Sequence, residues 1–219
     1  MDTGFAPNGV AQPVTRPRIQ ILSDMVFGLA LSIGAVTLVG QAPVTSQDFL
    51  VSLAYYMLSF LIVIRVWLSY TSILSTMPVE TQGLMDLNVV LLFTVSIEPY
   101  IFREVLISSG DLWSTTSAVF SLDLAAMFAV LAVFAHYLGD EDRKLVPESL
   151  FAKHRKNRNY LLLTTAILLV SLIPIFGTLT VFSVQLGTSM TNIHPRVIVW
   201  IFAWISGLVR RVPRTTQGT

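Results

Sequence analysis

The 219-residue chain has no cysteine. Disulfides, thiolate metal sites and thiol nucleophiles are therefore excluded, although the absence does not identify a compartment. Charge is scarce too. Asp, Glu, Lys and Arg make up 12% of the residues, roughly half the share of an ordinary soluble domain. Enzyme signatures are missing: there is no HExxH, no GxSxG and no phosphate-cradling glycine loop, so no catalytic activity is expected. His136, His154 and His194 are scattered without ligand spacing, so neither a metal site nor a cofactor is expected. Also missing is the Thr-Val-Gly-Tyr-Gly run from which common potassium channels build a carbonyl filter. Any ion pathway here has to be made from side chains on a helix. The formal net charge of +1 does not point to a partner, and no nucleic acid is expected.

What the chain does have is apolar length. Hydrophobic residues make up 53% of it and the mean hydropathy is +0.70. Several runs are long enough to cross roughly 30 Å of hydrocarbon as helices. Six helices are predicted, at about 19–40, 47–72, 84–107, 112–138, 157–182 and 194–211. The fold class is thus all-α, a polytopic membrane protein. Residues 1–17 are polar and rich in proline (Pro7, Pro13, Pro17). They lack a signal-peptide cleavage site and are read as a disordered cytoplasmic arm. The six-helix domain covers 18–211, and 212–219 form a cytoplasmic tail. Pro174 predicts a kink in the fifth helix. The segment 139–158 reads as a partly helical interfacial linker.

The basic residues give an orientation. With both termini in the cytoplasm, eleven of the fourteen Lys and Arg residues fall on the inner side. Only Arg103 and Arg196 fall in outer loops, and Arg65 falls within the second span. That bias supports an even number of spans with both ends cytoplasmic, and the single repeat and short loops lead us to expect the cell (plasma or inner) membrane.

Polar groups inside such spans are costly and usually have a partner or a task. Asp24 and Arg65 fall at similar depth, so they form an ion pair, or Arg65 snorkels to the headgroups. Glu98 precedes Pro99. It either faces ions near the outer mouth or lies at the outer boundary bonded to Arg103, and the second reading is favoured. Asp123, near mid-depth, must pair, protonate or face water. On the first helix, Leu29, Ser32 or Ile33, and Val36 share one face at helical spacing. Gly28, Gly34 and Gly40 permit close approach of neighbours. Symmetric assembly around this stripe would make an apolar constriction that gates by excluding water. Periodicity alone favours packing within the chain.

The run Arg18-x-x-x-Leu22-Ser23-Asp24 resembles the Arg-x-x-x-Phe-Ser-Asp signature that opens the first helix in the transmembrane-protein-175 family, the lysosomal potassium channels and their prokaryotic relatives. Trp67-Leu-Ser-Tyr70 is similar to the family's Trp-x-x-His. Leu87-Asn88, Leu91-Leu92 and Pro99 are similar to its third-helix pattern. The resemblance implies a polar network of Arg18, Ser23 and Asp24 with Trp67 and Asn88, and a pore lined by helix one. It implies that Leu29 is the constriction and that Ser32 is a hydroxyl influencing potassium preference. Because vertebrate members carry two six-helix repeats and dimerise, one repeat implies a homotetramer. Two departures stand out. Leu22 replaces the phenylalanine. Tyr70 replaces the histidine, removing a titratable group, so the network is open to rewiring that includes Arg65.

The expectation is a homotetrameric, potassium-preferring cation channel whose permeant ion is potassium and whose partners are itself and the lipid bilayer. The pore and gate would comprise Leu29, Ser32, Ile33 and Val36, with Glu98 as an ion attractor if it faces the axis. A proton-coupled secondary transporter using Asp24, Glu98 and Asp123, or a non-conducting scaffold, are the other readings.

Overall fold

The computed structural model describes residues 18–39, 45–76, 82–141, 145–186 and 189–208. The expected arm 1–17, tail 212–219 and residues Gly40, Arg143, Lys144, Arg210, Arg211 and Arg214 lie outside these. Four long helices come first: α1 (Arg18–Val39), α2 (Ser46–Leu74), α3 (Gln82–Ile107) and α4 (Gly110–Leu138). Their limits follow the apolar runs and the turn residues between them. Three described segments are long and apolar enough to cross a membrane, Ile19–Val36, Phe49–Leu74 and Gly110–Leu138.

The centre of the fold is α4. Phe120, Leu124, Met127, Phe128, Leu131 and Ala135 are all buried, with Ser121 and Asp123 between them. A helix that is apolar around most of its circumference is stable only when enclosed. Here α3, α5 and α7 enclose it. Phe120 meets the Phe102 ring at 5.4 Å and stands edge-on to Trp200 at 4.8 Å. The Trp200 indole N–H donates to Ser121 Oγ at 2.8 Å.

The second half departs from expectation. Helix α5 (Glu148–Val170) starts nine residues before the predicted 157 and ends at Val170 rather than 182. Its charged first half is helical because His154, Tyr160 and Leu161 bury one side. The linker therefore shrinks to Gly139–Pro147. Pro174 breaks the helix instead of kinking it. It has no N–H to give the carbonyl four residues back, and its ring crowds that carbonyl. A single turn, α6 (Ile175–Thr178), follows. Then comes an antiparallel hairpin, β1 (Phe182–Leu186) and β2 (Ser189–Ile193), with Phe182 opposite Ile193. Helix α7 (Pro195–Leu208) closes the described chain. The purely helical expectation is corrected to that extent.

Arg196 holds the broken end together. Predicted as an outer-loop charge, it is in fact only 1% exposed. Its Nε donates to the Ser171 carbonyl at 2.9 Å, and Nη1 donates to the Ser114 carbonyl at 2.8 Å and to Ser117 Oγ at 2.6 Å. These groups include a carbonyl left over where α5 stops, the negative end of that helix, which suits a cation. Gly177 leaves the room: a Cβ there would lie 2.6 Å from Arg196 Nη1. Nearby, His194 stacks on Trp113 at 4.1 Å and its Nδ1 lies 2.7 Å from the Leu179 carbonyl, tying the hairpin base to α4.

Candidate pore helix and its polar anchor

One side of α1 is sealed and the other is bare. Ser23, Phe27 and Ala30 recur at helical spacing and are buried against α2 and α3. The opposite side carries Met25, Leu29, Ile33 and Val36, with Leu29 60% and Val36 67% exposed within one chain. Exposed apolar side chains aligned along a whole helix mark a surface meant for lipid or for another chain.

The sealed side is held by hydrogen bonds. Tyr70 Oη lies 2.6 Å from Ser23 Oγ and 2.7 Å from Asn88 Oδ1. Asn88 Nδ2 donates to Ser23 Oγ at 3.1 Å. The Ser23 hydroxyl donates to the Ile19 carbonyl at 2.7 Å, one turn earlier. Ser23, Tyr70 and Asn88 are essentially inaccessible. Buried hydroxyl and amide groups are costly when alone, and each of these answers another. One residue from each of α1, α2 and α3 takes part. Beside them, the Trp67 indole N–H donates to Asp24 Oδ1 at 2.9 Å. Tyr70 also packs its ring against Phe27 at 5.8 Å and Phe134 at 6.2 Å.

Of the residues expected in the network, Ser23, Asp24, Trp67, Tyr70 and Asn88 come together. Arg18 opens α1, and its side chain lies outside the described residues. Arg65 is directed elsewhere. It donates to Ser69 and its guanidinium lies 5.9 Å from the Tyr160 ring centroid. Asp24 is met by Trp67 rather than by Arg65.

Glu98 is also placed differently from expectation. It is 2% exposed and accepts a 2.6 Å hydrogen bond from Ser59. Arg103 pairs with Glu104 at 2.8 Å instead. The Glu98 carboxyl is thus enclosed between α2 and α3. Asp123 lies within electrostatic reach of Glu98, and its Oδ2 has no hydrogen-bond partner among the described residues.

On the bare side, the Ser32 hydroxyl donates to the Gly28 carbonyl at 2.8 Å. Its proton is used within the helix, and its lone pairs remain available to a cation or water. Gly28 faces open space, whereas a Cβ at Gly34 would meet Tyr56 at 3.5 Å. No group of three or more acidic or histidine residues capable of holding a metal occurs among the described residues.

Residues 18–99 match the sequence model of the family described as the endosomal/lysosomal potassium channel TMEM175. Over those residues the chain is similar to the TMEM175 family. The matched segment holds α1, α2 and α3 as far as Pro99, and so the whole polar anchor and the whole bare stripe. The fold extends further. The crystal structure of a lysosomal potassium-selective channel TMEM175 homolog from Chamaesiphon minutus shares 15% identity at a TM-score of 0.60, covering 88% of this chain and 96% of that one. A single-site variant of the potassium channel MtTMEM175, crystallised with a nanobody–MBP fusion, shares 17% identity at a TM-score of 0.60, covering 95% and 97%. At these identities the likeness is one of fold. No curated protein matches the chain in sequence. Three helices long and apolar enough to cross a membrane, in a fold like that of the two channel structures, support a membrane protein.

Proposed function

We propose that the chain forms a homotetrameric, potassium-preferring cation channel of the cell membrane. Its six crossing helices would be α1 to α5 and α7, with both termini cytoplasmic. Four copies of α1 surround the axis, and Leu29, Ser32, Ile33 and Val36 line it. The single observation that carries this reading is the two-sidedness of α1. One side is fixed to its own subunit by buried hydrogen bonds. The other presents an uncharged stripe that nothing among the described residues covers.

Ions cross a short apolar neck at Leu29. No carbonyl cage strips their water, so preference comes from the width of the neck and from the Ser32 oxygen beside it. A narrow apolar ring also dewets readily, so the same residue closes the path when the ring contracts. The Ser23–Tyr70–Asn88 anchor fixes the rotation of α1 and so decides which side chains reach the axis.

The testing experiment is single-channel recording of purified protein in planar bilayers with potassium and sodium on opposite sides. Discrete steps with a reversal potential displaced towards potassium support the channel. Saturable, proton-driven flux in liposomes without discrete steps supports a carrier. Silence in both assays, with protein shown to be inserted, supports a scaffold.

A further inference from the structure

Along α5, one outward stripe changes character over two turns. Arg155, Lys156 and Asn159 are exposed at its start, and Leu162, Leu163, Leu169 and Val170 are exposed beyond. At the junction is a surface groove of 460 Å³ lined by Ala152, Arg155, Lys156, Asn159, Tyr160 and Leu163. Its floor is Tyr160, which is backed by the Arg65 guanidinium 5.9 Å from the ring centroid.

We infer that this groove binds an anionic phospholipid, with the headgroup phosphate on Lys156, Arg155 and Asn159 and an acyl chain along Leu163. The inference rests on the membrane assignment and is independent of the channel reading. A lipid needs a cationic and hydrogen-bonding patch at the headgroup level, with an apolar track running from it into the hydrocarbon. The stripe supplies these in that order. Lys156 has no partner among the described residues, so its ammonium is free to take a phosphate oxygen. Arg155 donates to Glu141 at 2.8 Å, but that pair is exposed, with side chains 57% and 63% accessible. Such a pair contributes little and yields readily to a phosphate. The Asn159 amide, a further donor, accepts from Arg158 through Oδ1 at 3.0 Å, which leaves Nδ2 for the headgroup. The core-facing side of α5 carries His154, Leu161, Thr164 and Leu168 and takes no part.

The test uses the purified full chain in detergent, titrated with phosphatidylglycerol, phosphatidylcholine or inorganic phosphate, with bound mass read by native mass spectrometry. Phosphatidylglycerol is expected to bind in preference to both. Lys156→Gln is expected to weaken it about fivefold, and adding Arg155→Gln to weaken it by a similar factor again. Lys153→Gln removes the same charge off the groove and is expected to leave binding near the parent value. Undiminished binding in the double variant overturns the inference, as does an equal loss in Lys153→Gln, which would mean diffuse attraction. Equal binding of inorganic phosphate overturns the lipid as the ligand. A change in assembly mass in the double variant assigns the face to a second copy of the chain. The recovery of the chain in membrane fractions checks the membrane assignment separately.

Discussion

Tyr70 Oη and Asn88 Oδ1 stand 2.7 Å apart on neighbouring helices, and both meet Ser23 on a third. A phenol thus occupies the position at which the family pattern has an imidazole, and does so with partners of its own. Tyr70→Phe keeps the ring contacts with Phe27 and Phe134 but removes the hydroxyl. The Asn88 carbonyl and Ser23 then lose a buried partner, at a cost of about 1–3 kcal/mol. Thermal unfolding in detergent should show that loss, and recordings should show altered open probability. A variant as stable as the parent would mean that the hydroxyl is dispensable to the anchor.

Leu29→Ala should widen the neck, and Leu29→Asn should wet it. Both are expected to raise leak current several-fold and to shift the reversal potential towards zero under opposed potassium and sodium. Parent-like currents from reconstituted Leu29 variants would remove this residue from the neck. Met25, on the same bare side one turn earlier, is the control that separates a neck from a uniformly sensitive surface.

Gly177 and Arg196 form a matched pair of tests. Gly177→Ala drives a methyl into the guanidinium and is expected to cost about 1–3 kcal/mol. Arg196→Met leaves the Ser171 and Ser114 carbonyls and Ser117 without their donor and is expected to cost at least about 3 kcal/mol. Because both act on one contact, the double variant should fall short of the sum of the two losses when melting is compared. Full additivity would show that Gly177 has a different task.

His154 gives a pH dependence of known sign. It lies in the charged half of α5, buried, with Nε2 3.2 Å from Thr76 Oγ1 and no partner on Nδ1 among the described residues. Burial, and then the neighbouring Lys153 charge, hold its pKa below the ordinary 6.5. The unfolded chain therefore takes up the proton first as pH falls. Stability is expected to be level above 6.5, to drop as pH falls below it, and to level again below the folded pKa. Melting curves of the parent and His154→Gln across that interval should differ in slope; identical slopes would place the acid sensitivity elsewhere.

The first four helices were legible because long apolar runs are separated by turn residues, and their bounds agree to within a few residues. The anchor was legible only through the family resemblance, in whose pattern Ser23, Asp24, Trp67 and Asn88 match the polar residues. The bond from Tyr70 to two of them was not, since a substitution says what is lost and not what replaces it. The start of α5 was missed because residues 148–159 are too charged to show an apolar period, although their inner side is buried. The hairpin was hidden in an apolar stretch continuous with α5, where neither helical nor alternating periodicity prevails. Arg196 was read by its place near a loop. Its burial follows from its bonds to the Ser171 carbonyl where α5 ends and to the Ser114 carbonyl and Ser117 Oγ of α4.

The side-chain hydrogen bonds from Ser23 and Asp24 to α2 and α3 lie near the first turns of α1, and Phe27 and Ala30 are buried beyond them. Pivoted at those bonds, the helix would act as a lever. Leu29 lies ~9 Å and Val36 ~20 Å along the axis from Ser23. In the proposed channel a tilt about that end would move Val36 roughly twice as far as Leu29, so a small swing that narrows the ring at Leu29 would narrow the far end of the stripe further.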